Sequence, residues 1–523
     1  MAVAVDIAVR RIHVTNPATG EVLRDFECAD AAQVQGCVNR ARAAQPGWQA
    51  TSLKQRLAIL GKFQQLLNDR KQHVANLVTS ETGKPVAEAL LTEILVVLDT
   101  ARFLLKESYE FLKEQPVPHG GLATRTKKGR LLREPYGVIG IISPWNYPFS
   151  IPACEALAAL VTGNAVVLKP SELTPLSALE LGSLLRDAGV PGNAFQVVIG
   201  DGVTGAALVE SGIDKLVFTG SVATGKRIAQ MAAARLLPVV LELGGKDPMI
   251  VLEDADVDVV SSGAVWGAFV NAGQTCLSVE RCYVHKSIYE NFLSACVEKI
   301  RQLRVGNGMD AETDIGPLIH ERQLRILEEH IEDALSRGAR LLTGGERLKS
   351  IGSNFYAPTV LADVNHQMRI MREETFGPVL PVMAFDSDAE AVRMANDSEY
   401  GLAASVWTRD RARGEQIARQ IQAGTVMIND AVSCFGISEA PHGGVKASGI
   451  GRTHGRLGLE EMVRIKYIDS DLLPGVKKPW WYGYGPNLTK AVEGFLDFQF
   501  ARGLTARIKG ALRSSGLVTR TRR

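Results

Sequence analysis

A chain of 523 residues with a formal charge of +2 and 46% hydrophobic residues exceeds one ordinary core, so two or three domains are expected. The balanced charge removes any reason to expect a nucleic-acid partner, and no apolar run approaches the roughly 20 residues that span a bilayer. Seven cysteines, scattered from Cys28 to Cys434 without paired spacing, argue against a disulfide framework and for a reducing compartment.

Met1–Val9 is mildly apolar, carries Asp6 and stops at Arg10-Arg11. It does not read as a cleavable signal, and the cytoplasm is the expected location. The segment through Asn16-Pro17-Ala18-Thr19-Gly20 is expected to be a strand and turn, because proline fixes one dihedral and glycine permits another. The first clear helix follows Thr51-Ser52, where Leu53, Leu57, Leu60 and Leu67 recur at helical spacing among Lys54, Gln55, Arg56 and Lys62. A second helical run covers Ala87 to Lys113. Both should cover one face of a sheet, with their charges forming a solvated surface. Beyond Gln115-Pro116-Val117-Pro118, the stretch from Thr124 to Arg133 is basic and extended, with Gly129 where a hairpin would turn. On its residues alone it also fits an anion-binding patch.

Short apolar runs at Val138–Ile142, Ala165–Leu168, Phe195–Ile199, Leu216–Phe218 and Val239–Leu241 fit parallel strands buried on both faces. Helical stretches at Pro152–Val161, Pro175–Ala188 and Gly225–Ala234 lie between or beside them. This repetition predicts a doubly wound α/β domain, in which ligands bind beyond the carboxyl ends of the strands. Four ends carry candidate groups. The first leads into Ser143-Pro144-Trp145-Asn146. The second leads into Lys169-Pro170-Ser171-Glu172, whose ammonium and carboxylate can hydrogen-bond ribose hydroxyls; elsewhere the same spacing would be only a surface ion pair. An anionic Glu172 repels an adenosine 2′-phosphate and so favours NAD over NADP. Phe218 leads into Gly220-Ser221-Val222-Ala223-Thr224-Gly225 at a helix start, where glycines admit close approach and free N–H groups attract pyrophosphate. A plain helix entry would look the same. Gly200-Asp201-Gly202 is a further candidate for the nucleotide side. The fourth end places Glu242 just past Val239-Val240-Leu241, where scarce water favours a raised pKa.

Val257 to Val270 is expected to be a helix leading to Asn271-Ala272-Gly273-Gln274-Thr275-Cys276. A thiol after this turn-prone peptide can meet a substrate, although a lone cysteine is commonly an inert core residue. Cys276 as nucleophile and Glu242 as tunable base are the two parts that covalent carbonyl chemistry needs. Arg281–His285 follows as a strand, with Cys282 facing the core and given no chemistry. Helices at Glu321–Ser336 and Arg411–Gln422, with strands at Val379–Ala384, Ala404–Trp407 and Thr425–Asn429, complete a second α/β unit. The nine histidines show no ligand spacing, and no metal is expected.

Leu241-Glu242-Leu243-Gly244-Gly245-Lys246-Asp247-Pro248 and the cysteine segment do not stand alone. Pro144-Trp145-Asn146-Tyr147-Pro148, Lys169-Pro170-Ser171-Glu172, Phe218-Thr219-Gly220-Ser221 and Glu373-Glu374-Thr375-Phe376-Gly377-Pro378 take their places in the same order. From about Asn16 to Tyr467 the chain resembles the aldehyde dehydrogenase superfamily. The resemblance implies a Rossmann-like NAD-binding domain over 1–116 and 136–243 and an α/β catalytic domain over 244–460. It also implies a small β oligomerisation flap over 117–135 and 461–475, with a strand near Val463–Ile468, and hence a homodimer or homotetramer. A C-terminal extension over 476–523 lies outside the usual family length. The GSxxxG turn replaces the usual GxGxxG, and relatives with the Glu172 carboxylate retain some activity with both NAD and NADP. The cofactor residues would be Ser143, Pro144, Trp145, Lys169, Glu172, Gly202, Phe218, Gly220, Ser221 and Gly225, with Glu374 on the nicotinamide ribose and Phe376 beside the nicotinamide.

Cys276 would attack the aldehyde, the Asn146 amide and the Cys276 N–H would stabilise the oxyanion, and Glu242 would activate water against the thioester. A CoA-acylating relative is disfavoured by the presence of Glu242. A noncatalytic protein of the same fold is disfavoured by the presence of Cys276, Glu242 and Asn146 together. His442 stands where the family commonly carries Phe, and Thr453-His454 where an acidic residue is usual; neither removes a catalytic part.

In the extension, Pro479-Trp480-Trp481-Tyr482-Gly483-Tyr484-Gly485 is aromatic. From Asn487 to Arg523, eight basic residues (Lys490, Arg502, Arg507, Lys509, Arg513, Arg520, Arg522, Arg523) face two acidic ones, Glu493 and Asp497. Phe495, Leu496, Phe498 and Phe500 are expected on one side of an amphipathic helix, fitting either peripheral attachment to an anionic membrane or packing on a neighbouring subunit.

Overall fold

The computed structural model describes residues 10–520. Met1–Val9, weighed above as a signal, and the tail residues Arg522 and Arg523 lie outside the described residues. Two compact units divide the chain. The larger takes the chain up to Leu112 together with Glu134–Arg464, and the smaller takes Lys113–Arg133 with Ile465 onward.

The larger unit holds two main sheets. In the first, six strands run in the order Gly449–Ile450, Val239–Glu242, Lys215–Thr219, Val138–Ile142, Ala165–Lys169, Phe195–Val197. All neighbours are parallel except the antiparallel edge at Gly449–Ile450. Val138–Ile142 and Ala165–Lys169 are buried along their whole length, as continuous apolar runs require. Strand order reverses between Val138–Ile142 and Lys215–Thr219, the point at which doubly wound sheets bind ligands. The second sheet has seven strands, in the order Arg340–Thr343, Thr359–Ala362, Val379–Phe385, Val279–His285, Asp247–Val251, Ala403–Trp407, Thr425–Ile428. It is parallel apart from the antiparallel Arg340–Thr343 edge. The α/β class expected from the sequence is the one found.

Several local expectations are corrected. A helix at Ala31–Ala50, opened by a reciprocal Asp30–Gln33 capping box, precedes the one after Ser52; its apolar periodicity is weak and Pro46 sits inside it. The single run from Ala87 to Lys113 is broken into Val86–Ala89, a π-helical turn at Leu90–Ile94, and Leu95–Leu112. Its charges are not all a solvated surface, because Glu93 is fully buried. The strand begun at Phe195 ends at Val197, and Ile199 instead accepts a hydrogen bond from the Ala29 N–H. Glu242 is the last residue of its strand rather than the first beyond it, and the helix from Arg411 stops at Ala418.

In the smaller unit, strands Val463–Asp471, Lys127–Pro135 and Gln115–Val117 form a sheet in that order. Gly129 lies within a strand instead of turning a hairpin. A Cβ there would stand 2.6 Å from the Tyr467 hydroxyl, so close packing by that ring is what favours glycine. Helices Pro486–Phe500 and Leu504–Arg520 form an antiparallel hairpin whose backbones approach at Gly494 and Gly510. The expected grouping of Phe495 with Leu496, Phe498 and Phe500 does not hold, since Phe495 is half-buried. The exposed stripes are Val492, Leu496 and Phe500 on one helix, and Leu504, Ile508 and Leu512 on the other. Both follow the i, i+4, i+8 spacing of a single helical face.

Candidate active site

The turn that carries Cys276 is built from unusual backbone. Asn271 and Ala272 have φ of 53° and 55°, and Gly273 has φ of 71°. A Cβ at Gly273 would stand 2.2 Å from the Gly377 carbonyl oxygen, so both conformation and space call for glycine. Side chains pay back the strain. The Asn271 N–H donates to the Glu88 carboxylate, and Asn271 Nδ2 donates to the carbonyls of Asn146 (3.0 Å) and Gln274 (3.1 Å). Thr275 is held by the Tyr147 hydroxyl at 2.7 Å.

Asn146 is tied to the same turn, its Nδ2 donating to the Gln274 carbonyl at 3.0 Å. An amide nitrogen has two hydrogens, so one remains for an acceptor in the cavity. The Asn146 carbonyl accepts from Lys84 Nζ at 2.8 Å, and the same ammonium is 2.8 Å from Glu93 Oε1. Glu93 Oε2 accepts from the N–H groups of Phe149 (3.2 Å) and Ser150 (2.6 Å) at the start of helix Ser150–Val161. Neither Lys84 nor Glu93 exposes any side-chain surface. The sequence reading gave them no role: a lysine and a glutamate nine positions apart carry no local signal of pairing.

Two cavities meet at Cys276 and Glu242. One, of about 270 Å³, is lined chiefly by apolar side chains, with Tyr147, Glu155, Thr275, His442 and His454 among its polar residues. The other, of about 330 Å³, is lined by Pro144, Trp145, Asn146, Gly220, Ser221, Gly244, Glu374 and Phe376, among others. Ile151, Thr219 and Leu243 also border both. Neither Glu242 oxygen has a hydrogen-bond partner among the described residues. Burial, then the negative charge of Glu155, raises its pKa well above the ordinary carboxylate range. Burial also pushes Glu155 up to about 8, and the Cys276 thiol up, with Asp247 the next cause for the thiol.

His442 Nε2 lies 3.9 Å from Glu242 Oε2, but burial lowers His442 to about 3 and His454 to about 4. Both imidazoles are therefore neutral at physiological pH, and the contact is not an ion pair. They pack edge-on against Phe435, at centroid distances of 5.1 and 4.4 Å.

On the other side, Phe376 has φ of 55° and stands perpendicular to Trp145 at 5.4 Å. Its N–H and that of Thr375 donate to the Glu280 carboxylate at 2.9 and 2.8 Å, and Glu280 pairs with buried Lys246. Glu374 accepts from the Gly245 N–H at 3.2 Å, and burial pushes it up to about 8. Ser221 caps helix Val222–Ala233, its side chain accepting from Thr224. Lys169 is buried at the end of its strand, 3.5 Å from a half-exposed Glu172. Phe218 is buried beneath Gly220, and Gly225 packs on Leu243. Ser143, Lys169, Glu172, Gly202, Phe218 and Gly225 thus lie outside the wall of this cavity. Asp201 caps the helix that begins at Gly202 and pairs with Arg10. Cys282 is fully buried, as expected. No group of three or more metal-ligating side chains is found among the described residues.

A model of the aldehyde dehydrogenase family matches residues 5–468. The chain is 40% identical to 4,4'-diapolycopene aldehyde oxidase of Methylomonas sp, over 93% of this chain and 91% of the other. It is also 40% identical to a putative succinate-semialdehyde dehydrogenase [NADP(+)] of Mycolicibacterium smegmatis, over 86% of each. Among solved structures, an NAD-dependent aldehyde dehydrogenase from Sinorhizobium meliloti superposes with a TM-score of 0.86 at 37% identity, covering 90% of this chain and 93% of that one. An E. coli NADP dependent enzyme superposes with a TM-score of 0.84 at 37% identity, over 88% and 95%.

Removing one partner of the buried Lys84–Glu93 pair leaves the other charge uncompensated. Lys84→Met is expected to lower unfolding free energy by about 3–5 kcal/mol, read by urea denaturation. Equal midpoints for the variant and the parent protein would show that the pair does not hold this region.

Proposed function

The chain belongs to the aldehyde dehydrogenase family and oxidises an aldehyde to a carboxylic acid with NAD(P); we propose that Cys276 is its nucleophile, Glu242 its hydrolytic base and Asn146 its oxyanion donor. The observation that carries this assignment is that Cys276 and Glu242 border both cavities, so an aldehyde entering from one side meets the thiol where a nucleotide reaches from the other.

Cys276 attacks the carbonyl carbon as the thiolate, its proton passing by way of Glu242 to solvent, and the second N–H of Asn146 with the Cys276 backbone N–H stabilises the developing oxyanion. A donor of this kind is worth roughly 3 kcal/mol of barrier. NAD(P), which Glu374, Phe376 and Trp145 would hold at its nicotinamide end, would supply the hydride acceptor for oxidation of the thiohemiacetal to the thioester. Glu242 then takes a proton from water, which attacks the thioester and frees the acid. A carboxylate with no competing hydrogen bond among the described residues is available for that water, which is why hydrolysis is favoured over transfer to CoA.

Glu374, with Phe376 and Trp145, would hold the nicotinamide end. Gly244 suits this, because a Cβ there would stand 2.3 Å from Glu374 Oε2. Pro144, Gly220 and Ser221 would flank the pyrophosphate, with Ser143 and Gly225 supporting that turn. Phe218 acts by packing under Gly220. Lys169 and Glu172 would take the adenosine ribose, Glu172 favouring NAD without barring NADP, and Gly202 would border the nucleotide side. In this assignment, the six-stranded sheet region serves the nucleotide and the seven-stranded region serves catalysis.

The three-stranded sheet would mediate a homodimer or homotetramer. Its edge strand Val463–Asp471 exposes Ile465 and Tyr467, and a strand at the edge of a sheet is suited to pairing with another copy. The cytoplasm is the proposed location, supported by seven cysteines that are all free. The C-terminal hairpin would rest on an anionic bilayer. Its two apolar stripes are accompanied by Trp480, Trp481, Tyr482 and Tyr484, all exposed, and by the surplus of basic residues. No helix among the described residues is long and apolar enough to cross a membrane, so the contact would be peripheral.

With NAD and an aldehyde, Cys276→Ala is expected to form no NADH by absorbance. Glu242→Gln should give a burst of about one NADH per subunit and then turn over at least about 100-fold more slowly. A full steady-state rate in either variant would remove that residue from its role.

Deprotonated Glu242 is the active form, and its folded pKa is raised. Steady-state kcat should therefore climb with pH above the ordinary carboxylate range, and this limb should vanish in Glu242→Gln. Persistence of the limb would assign it to another group.

In liposome flotation, the protein should rise with acidic but not neutral vesicles, and the variant carrying Ile508→Ser and Leu512→Ser should stay below. Equal flotation of both proteins, or a variant that instead loses a dimer while neither floats, would overturn the membrane contact.

A further inference from the structure

We infer that the substrate is an uncharged aldehyde with an extended apolar chain, and that the entry cavity rejects aldehydes bearing a carboxylate. This rests on the reading of Cys276 as the nucleophile and goes on to name the class of molecule brought to it.

Among the described residues, no lysine or arginine lines the cavity that leads to Cys276 from the Leu91 side. Arg452, whose charge acts on Glu242, and Lys84 stand close by but outside that lining. Arg452 donates through Nη1 to the Gly444 and Gly451 carbonyls, at 2.9 and 2.6 Å. Lys84 lies over the Tyr147 ring at 3.9 Å but is paired with Glu93 and bonded to the Asn146 carbonyl. The ionisable groups that do face the cavity are two carboxyls, Glu155 and Glu242, the Cys276 thiol and Tyr147 phenol, whose pKa values burial raises, and two imidazoles kept neutral by burial. A carboxylate on the substrate would be desolvated there with no lysine or arginine in the lining to receive it, and an uncompensated buried charge is costly.

The rest of the wall is suited to hydrocarbon. Val96, Ile151, Leu277 and Phe435 line the passage, and at its rim Leu91 is 61% exposed and Trp266 46% exposed. Exposed apolar side chains at the mouth of a site extend its apolar surface beyond the cavity, so a chain longer than the cavity still finds partners. Leu91 belongs to the π-helical turn at Leu90–Ile94, and such turns recur at functional sites. Leu95, one helical turn on from Leu91, is 47% exposed and continues the same face.

The inference is testable without turnover, which keeps it separable from the proposed oxidation. Alkyl methanethiosulfonates react with a cysteine thiolate at sulfur, forming the mixed disulfide and releasing methanesulfinate. Labelling of Cys276 by octyl and by carboxyethyl methanethiosulfonate is followed by mass spectrometry of the Cys276 peptide, each rate divided by that for free cysteine. The octyl reagent is expected to be favoured at least about tenfold, and equal or inverted ratios would overturn the inference. In parallel, kcat/KM with NAD should rise roughly threefold per added methylene from butanal toward decanal, as apolar burial predicts, and should be at least about 100-fold lower for succinate semialdehyde than for pentanal. A semialdehyde preference would overturn the substrate class while leaving the oxidation intact. Octyl selectivity with no oxidation of any aldehyde, using either NAD or NADP, would overturn the proposed reaction while leaving the cavity's selectivity standing.

Discussion

A buried ammonium, that of Lys84, organises the active site by bridging parts of the chain that are far apart in sequence. It neutralises Glu93, whose other oxygen holds the first N–H groups of helix Ser150–Val161, and it fixes the Asn146 carbonyl. Neighbouring positions extend the clamp. Glu81 receives the N–H groups of Leu176 and Ser177 at the start of helix Pro175–Ala188, and Glu88 receives the N–H of Asn271 on the cysteine turn. One short segment, Glu81 to Glu93, therefore ties two crossover helices, the Asn146 loop and the Cys276 loop into a single frame. Desolvating a charge pair costs much of what its attraction returns. The gain here is positional: Asn146 and Cys276, the proposed oxyanion donor and nucleophile, keep their mutual geometry although they stand on different loops.

The interior around Cys276 has many acids and few free cations. Burial raises Glu155, Glu242, Asp247 and Glu374, and the same low-dielectric surroundings push up the thiol. Burial thus disfavours the charged forms of these groups, so reactivity is tied to what enters the two cavities. His442 adds no charge to the wall, because burial keeps the ring neutral beside Phe435 and His454. It supplies a polar edge next to Glu242.

The parts legible in the sequence were those whose signal is local. Continuous apolar runs marked the central strands because a parallel strand buried on both faces has no polar side to show, and the strand ends led to Asn146, Glu242 and the Gly220-Ser221 turn, which line one cavity. The clamp at Lys84 was not legible, since pairing a lysine with a glutamate nine residues away depends on how the π-helical turn folds back rather than on any periodicity. Gly129 was misread for a related reason. Glycine serves both for a left-handed turn and for close approach by a neighbour, and only the position of the Tyr467 ring separates the two. Phe218 illustrates a third limit, because a strand end at the right place still sends alternate side chains into the core.

The C-terminal hairpin is a separate problem in surface energetics. Its helices spend their small residues on each other: Gly494 faces Arg513 and Ser514, and Gly510 faces the backbone of Phe498. That close approach turns Val492, Leu496 and Phe500 outward on one helix, with Leu504, Ile508 and Leu512 outward on the other. A hairpin could have hidden these side chains between its helices; using glycine there leaves the larger residues for another surface. Burying each is worth about 1 kcal/mol or more, enough in sum for reversible attachment without a spanning helix. In the proposed membrane contact, the basic residues of this segment would select an anionic interface over a neutral one. Such a surface is also where an aldehyde with an extended apolar chain would concentrate, so the extension and the apolar cavity would answer to the same property of the proposed substrate.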